Sequence, residues 1–343
     1  MDLRSNIRLV FSLLAALGMI GPGAAQSWAQ SATWERLILP AGNANGVFEP
    51  SAVRQRADGR LFLVQDEPSA ALGTLTLADD GRPLSFSLQS PTPHRRDGLP
   101  RLGDLEGLAR GKDGYFYAVT SHSRTTSGKR HKSRERIVRL RLTGDEVSTF
   151  DVYGHLITDI IRAYPVLGAS VASPYAKGRR GFNIEGLCFD ADRERLLIGL
   201  RGPVLNGASV VLVLENPAQV FGGEKPRFAD RLIRLGMAGE GIRSLSYIPA
   251  LGRYLLVGQK AARKGTSNRK FHLWVWGGPG SEPPKRVDIK GVKWRNSEGL
   301  TPVTLGGKDY VLFVSDDGDR RKGRPARYLL LAQEILAASI SAP

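Results

Sequence analysis

The sequence predicts an all-β fold, a β-propeller of five or six blades built as a single domain. Three observations carry that expectation. One hairpin pattern recurs five times, its copies spaced 55 to 79 residues apart. That period is longer than a WD40 blade and suits one four-stranded blade plus loops. Glycine (40 residues) and proline (20) also suit many short strands and turns better than long helices. Five copies of one hairpin disfavour the runner-up, a pair of β-sandwiches.

The clearest copy is FNIEGLCFDADRERLLIGLRGP, from Phe182 to Pro203. Two apolar runs, GLCFD and RLLIGLRG, flank a charged ADRE that supplies the turn. Glu185 stands just before the first strand and Arg201 at the end of the second. A hairpin returns the chain to the end of the sheet where it began, so these two residues share an edge. DLEGLARGKDGYFYAVTSHS repeats the pattern with Glu106 and His122, and GIRSLSYIPALGRYLLVGQK with Arg243 and Gln259. NSEGLTPVTLGGKDYVLFVSDDGD gives Glu298 and Asp316, and FEPSAVRQRADGRLFLVQDE a weaker copy with Glu49 and Asp66.

Taken in order, residues 1–29 read as a secretory signal peptide. Arg4 and Arg8 precede an apolar run from Leu9 to Ile20, and small residues allow cleavage after Ala25 or Ala29. The run is too short to span a membrane, and no later stretch is apolar enough to do so. The expected product is exported, periplasmic or extracellular, with the propeller over 33–335. Thr33 to Pro40, TWERLILP, alternates as a strand and is expected to close the ring against YLLL, Tyr328 to Leu331. The long interval between Glu106 and Glu185 has room for a hidden sixth blade and holds two insertions. One is the basic run Arg124 to Arg136, RTTSGKRHKSRER; the other starts GHLITDIIRAYPVL, where Leu156, Ile160, Ile161 and Leu167 fit a short amphipathic helix. The closing QEILAASISAP reads as a short helix or tail.

The net charge of +16 draws an exported protein towards polyanions, which concerns encounter rather than fold. Basic loops at Arg124–Arg136, Lys260–Lys270 and Arg320–Arg327 all follow the second strand of a repeat, and hence one face. The first holds no aromatic residue to stack on a base, so no specific nucleic-acid partner is expected. Cys188 is the only cysteine and lies in an apolar run, which excludes an intrachain disulfide and suggests a small buried hydrophobe. Zinc clusters, a P-loop and a dinucleotide fingerprint are missing from the sequence, so nucleotide and redox chemistry have no support.

In a propeller the first strand of each blade lines the channel. The expected rim is therefore Glu49, Glu106, Glu185, Arg243 and Glu298, with Asp66, His122, Arg201, Gln259 and Asp316 slightly outside. Converging carboxylates repel unless a cation sits among them. Arg201 and Arg243 can serve, or a Ca²⁺ held by Glu106, Glu185 and Glu298. A second reading stands beside this: each glutamate buckles neighbouring blades by accepting backbone hydrogen bonds, with the glycine letting the chain pass closely. His122 is a candidate acid or base between Ser121 and Ser123. A serine triad is weak there, because strand neighbours point to opposite faces and no nucleophile elbow exists. DDGD, Asp316 to Asp319, lacks the spacing of an EF-hand and reads as a tight turn that carries only Asp316 to the rim.

DLEGLA with VTSHS, the basic loop, NIEGLCFD with LLIGLRGPV, GIRSLSY and the last EGL together resemble the bacterial domain of unknown function 3616. The resemblance runs from about Phe48 to Leu331. More loosely, Glu106, Glu185 and Glu298 are similar to the repeated glutamates of the esterase-like phytase group of propellers. The resemblance implies a propeller and, through the distant group only, a hydrolase. The expected function is binding of a small anionic ligand at one channel mouth. Glu185, Glu106 and His122 would be the catalytic candidates, and Arg201, Arg243, Ser121 and Asp316 the ligand contacts. A metal-assisted phosphoester hydrolase is the enzyme form of that expectation. The alternative is a non-catalytic scaffold presenting basic loops to a surface polyanion or partner protein.

Overall fold

The computed structural model describes residues 32–42, 46–66, 71–89, 102–112, 114–174, 180–260 and 270–341. Five four-stranded antiparallel sheets form the blades of a propeller. Their innermost strands are Pro50–Gln55, Leu105–Arg110, Asn183–Asp190, Gly241–Ile248 and Ser297–Leu305, in blades 1 to 5. These strands touch in ring order, with blade 5 returning to blade 1. Blades 1 to 4 each use four strands in sequence order. Blade 5 takes its outermost strand, Glu35–Arg36, from the other end of the chain, pairing Glu35 with Tyr328 and Arg36 with Arg327. The closure expected of TWERLILP is thus present, and Leu37 N–H to the Ala326 carbonyl (2.9 Å) and Arg36 Nη1 to the Pro325 carbonyl (2.6 Å) extend it.

The sequence folds this way because every strand is half apolar and each blade buries both faces against neighbours. The hydrophobic core is consequently divided into five clusters, one per blade interface. Each fully buried leucine or valine contributes roughly 1.5–3 kcal/mol. The interval before Glu185 contains no extra blade among the described residues. After the fourth strand of blade 2 comes the helix Leu156–Ala163, followed by the short helix Gly168–Ala172. Leu156, Ile157, Ile160, Leu167 and Val171 insert into the interface between blades 2 and 3, with Ile161 packed at its edge. The C-terminal helix Gln333–Ser341 buries Leu336 in the cluster between blades 4 and 5. The signal peptide expected at residues 1–29 lies outside the described residues.

Candidate functional site

Each blade carries a β-bulge near the start of its inner strand. The register with the second strand slips between Pro50 and Ala52, Leu105 and Gly107, Ile184 and Gly186, Ile242 and Ser244, and Ser297 and Gly299. The extra residue is Ser51, Glu106, Glu185, Arg243 or Glu298, and all five are buried. A bulge bends the strand and re-aims one side chain. Here it does so five times at one end of the channel. The residue after each bulge is small because the next blade passes close. A Cβ on Gly186 would lie 3.0 Å from the Ile242 methyl, and one on Gly299 3.2 Å from the Ala52 Cα.

This register corrects two expectations about the rim. Ser51, not Glu49, is the bulge residue of blade 1. Glu49 falls two residues earlier, at the position that Asp104, Asn183, Gly241 and Asn296 occupy in the other blades. Its carbonyl accepts the Asp66 N–H (3.2 Å), as Asp104 accepts Ser121 and Asn296 accepts Asp316 (2.8 Å each). The residue outside the bulge in blade 2 is therefore Ser121, and His122 lies one step further, because that hairpin is one residue shorter than its counterpart in blade 3.

Glu185 is the hub of the rim. It pairs with Arg201 (2.7 Å) and Arg243 (2.6 Å) and accepts the Asn183 amide (3.0 Å). Arg243 also pairs with Glu298, so one guanidinium bridges two carboxylates from neighbouring blades. Burial lowers the Arg243 pKa, as does the charge of Arg201. Burial works against the Arg201 charge too, but the Glu185 carboxylate outweighs it and its pKa stands above the ordinary value. Glu106 differs from its counterparts: it makes no ion pair or hydrogen bond among the described residues. Burial, then the charges of Glu185 and Asp104, hold its carboxyl well above the usual carboxylate range. The rim thus sets two glutamates held by arginine beside one buried carboxyl without a cationic partner among the described residues, whose pKa burial and neighbouring carboxylates raise.

Around this network several buried polar atoms lack partners among the described residues: Gln65 Nε2, Asn183 Oδ1, Ser297 Oγ, Arg243 Nε and His122 Nε2. Donors and acceptors are both represented. A polar ligand or ordered water would satisfy such a set.

Ser121 and His122 form no nucleophilic pair. The Ser121 hydroxyl donates to Asp104, which also accepts Ser123 Oγ (3.3 Å) and pairs with Arg134 (2.8 Å). His122 has a left-handed backbone (φ 55°), with Nδ1 2.8 Å from the Thr120 carbonyl. Burial pushes its ring down to about 4, so the imidazole is neutral. Asp316 is half-buried at the rim. Its neighbours in DDGD serve the turn: Asp317 binds Arg36, Arg327 and Ser315, and Asp319 caps the turn at Lys322. No group of three or more His, Cys, Asp or Glu side chains able to hold a metal occurs among the described residues. Arg243 stands between two of the three glutamates expected to bind Ca²⁺.

The basic run Arg124–Arg136 is a built loop. Arg124 binds the Gly128 carbonyl (3.0 Å), Arg130 pairs with Glu135 (2.7 Å) and Arg134 with Asp104, while Lys129, His131 and Lys132 are exposed. It and the loop Arg320–Arg327 leave the same end of the channel as the rim; residues 261–269 of the third basic loop lie outside the described residues.

Two features escaped the sequence reading. Arg54, buried, crosses the channel: Nη1 donates to the Val53 and Leu300 carbonyls (2.7 Å each) and Nη2 to those of Leu187 (2.7 Å) and Leu245 (2.8 Å). Its counterparts in the other blades are short, namely Ala109, Cys188, Ser246 and Thr301, which leaves room for one long side chain. The available signal was an arginine inside an apolar strand, at a position where the repeat otherwise places small residues. The second feature is Glu240, buried between blades 3 and 4, which accepts Trp274 Nε1 (2.9 Å) and pairs with His272. No repeat position announces it.

The family described as "Protein of unknown function (DUF3616)" matches residues 151–248, the stretch holding NIEGLCFD, GLRGP and GIRSLSY. No curated protein matches the chain. Among solved structures, the chain is similar to the major allergen Mala s 1 of Malassezia sympodialis at 15% identity, covering 86% of this chain and 81% of that one, TM-score 0.40. A GH43 β-1,3-galactosidase shares 10% identity over 88% of this chain and 94% of its own, TM-score 0.48. The Trypanosoma rangeli sialidase shares 11% over 90% and 61%, TM-score 0.47. Likenesses this distant concern the fold, and the activities named for those proteins remain theirs.

Proposed function

We propose that the bulge-lined mouth binds a small polar ligand carrying an anionic group, and that Glu106 exchanges a proton with it. The observation that supports this reading is the contrast within the rim: Glu185 and Glu298 are tied to arginine, whereas Glu106 has no such partner among the described residues and its carboxyl is held well above the usual carboxylate range. Pairs of carboxyl groups whose environments push their pKa values apart are the common arrangement for acid–base chemistry. A phosphate monoester suits both halves. Its charge would lie against Arg201 and Arg243, and Glu106 would protonate the leaving oxygen as the P–O bond breaks. Water then supplies the new oxygen to phosphorus and returns its proton to Glu106. His122, neutral and behind the rim, would position the Thr120–Ser121 segment rather than transfer protons. With the leader read at residues 1–29, the reaction would occur outside the cytoplasm.

The reading requires no metal at Glu106, Glu185 and Glu298, since Arg201 and Arg243 together already balance Glu185 and Glu298. A calcium requirement is the variant of the same site, and chelator-treated protein distinguishes the two. The deciding experiment measures binding of inorganic phosphate and turnover of p-nitrophenyl phosphate by wild type and Glu106→Gln. Phosphate binding by both, with turnover lost in the variant, is the expected result. Turnover unaffected by Glu106→Gln would sink the acid role. Absence of phosphate binding at any pH would sink the anionic ligand.

A further inference from the structure

The other end of the channel holds a cavity of about 560 Å³, within the range of small-molecule sites. It is walled by the C-terminal halves of the inner strands and the turns that follow them. Arg54 forms its inner end, and Cys188, Ser246 and Thr301 surround that guanidinium. Arg54 meets only backbone carbonyls, so its charge faces the cavity with no carboxylate against it. Arg110 stands at the open lip, and Lys112 beside it pairs with Glu194 (2.5 Å). Asp309 is the one acidic lining residue among the described residues, and it accepts the Thr304 hydroxyl (2.7 Å).

Two side chains point to what the cavity takes. Ser246 is 97% buried yet its hydroxyl has no hydrogen-bond partner among the described residues, although it lines the cavity. Tyr247, the next residue, is 37% exposed and lines the cavity, its ring centroid 5.0 Å from that of Tyr254. A cationic field, an unpaired hydroxyl donor and an exposed ring lie together.

We propose that this cavity is a second binding site, for a small carboxylate with an aromatic or apolar body. The carboxylate accepts the Ser246 hydroxyl and lies in the field of Arg54 and Arg110, while the body packs on Tyr247 and Phe189. The four hydrogen bonds of Arg54 close the channel between this site and the rim, so the two sites are chemically separate.

Calorimetric titration with benzoate tests the proposal, with benzamide as the uncharged isostere and inorganic phosphate as competitor. Benzoate is expected to bind, with benzamide weaker by about tenfold. Arg110→Gln and Tyr247→Ala each weaken benzoate by a similar factor. Both residues are exposed, so the variants should keep the wild-type circular dichroism spectrum. Cys188 lines the cavity and is the only cysteine, so benzoate should also slow its alkylation by a thiol reagent. The proposal is overturned if benzoate gives neither heat nor protection of Cys188. It is equally overturned if benzamide binds as well as benzoate, or if phosphate displaces benzoate, because the carboxylate class is then wrong.

Discussion

The two ends of one channel bury guanidinium groups in opposite ways. At the bulge-lined end, Arg201 and Arg243 are enclosed by carboxylates, and each charge exists because another answers it. At the other end Arg54 is answered only by four carbonyl dipoles. Burial without an opposite charge drops its pKa to about 10, which still leaves it cationic at neutral pH. The difference follows from position along a repeated strand. Bulge residues from five blades converge, so a charge there must be matched by its neighbours. Three residues further on, four blades have small side chains, and the fifth fills the space alone. An ion network is fragile to the loss of any member, whereas a dipole-held cation leaves only neutral groups behind.

The largest expected effect tests that fragility. Arg243→Met strands Glu185 and Glu298 as buried, poorly matched carboxylates and should cost about 3–5 kcal/mol in urea unfolding. Adding Glu298→Gln should recover part of the loss. If the double variant is no more stable than the single one, the bridge is not what holds the rim.

Protonation separates the rim groups next. The folded pKa of His122 is depressed from 6.5 to about 4 by burial, so the stability it supports is present above 6.5 and lost as pH falls between those values, by about 3 kcal/mol in all. Glu106 has the opposite sign. Its folded pKa is raised, so its contribution is present at acid pH and fades as pH rises through the folded value. His122→Asn, which tolerates a left-handed backbone, should flatten the acid limb; Glu106→Gln should flatten the other. A Glu106→Gln variant that keeps the wild-type slope at higher pH would mean that Glu106 is ionised in the folded protein.

These groups also mark how far the sequence could be read. Apolar alternation and turn composition sufficed for five hairpins, for ring closure by TWERLILP against YLLL, and for the helix at Leu156, because each follows from local pattern. The rim members Glu106, Glu185, Arg243 and Glu298 were legible because they recur. Ser51 was not, since a bulge changes register without changing any letter, and Glu49 nearby had the expected charge. The place of His122 was misjudged for a related reason: counting from Glu106 assumes hairpins of equal length. Arg54 and Glu240 occur once each, and a repeat gives no signal for a residue that breaks it. The pairing of specific arginines with specific glutamates is a product of blade geometry, which spacing along one strand does not contain.

Removing Arg54 should cost less than removing Arg243. Arg54→Met exposes four carbonyls to a cavity that admits water, and about 2 kcal/mol is expected from their incomplete satisfaction. Equal losses for Arg54→Met and Arg243→Met would break the distinction between dipole-held and ion-held guanidinium groups.

The smallest effect comes from one substitution made at both ends. Ser121 donates its hydroxyl to Asp104, a carboxylate already paired with Arg134. Ser121→Ala removes one of several partners from a charged acceptor and should cost about 1 kcal/mol. Ser246 is also buried, but its hydroxyl lines the cavity with no partner among the described residues, so Ser246→Ala discards a polar atom that folding does not use. Its cost should stay within about 0.5 kcal/mol, while its benzoate affinity falls. The same lost oxygen atom would then register as stability at one mouth and as binding at the other. A stability loss at Ser246 as large as that at Ser121 would mean that the Ser246 hydroxyl already serves the fold, and the cavity would lose its donor.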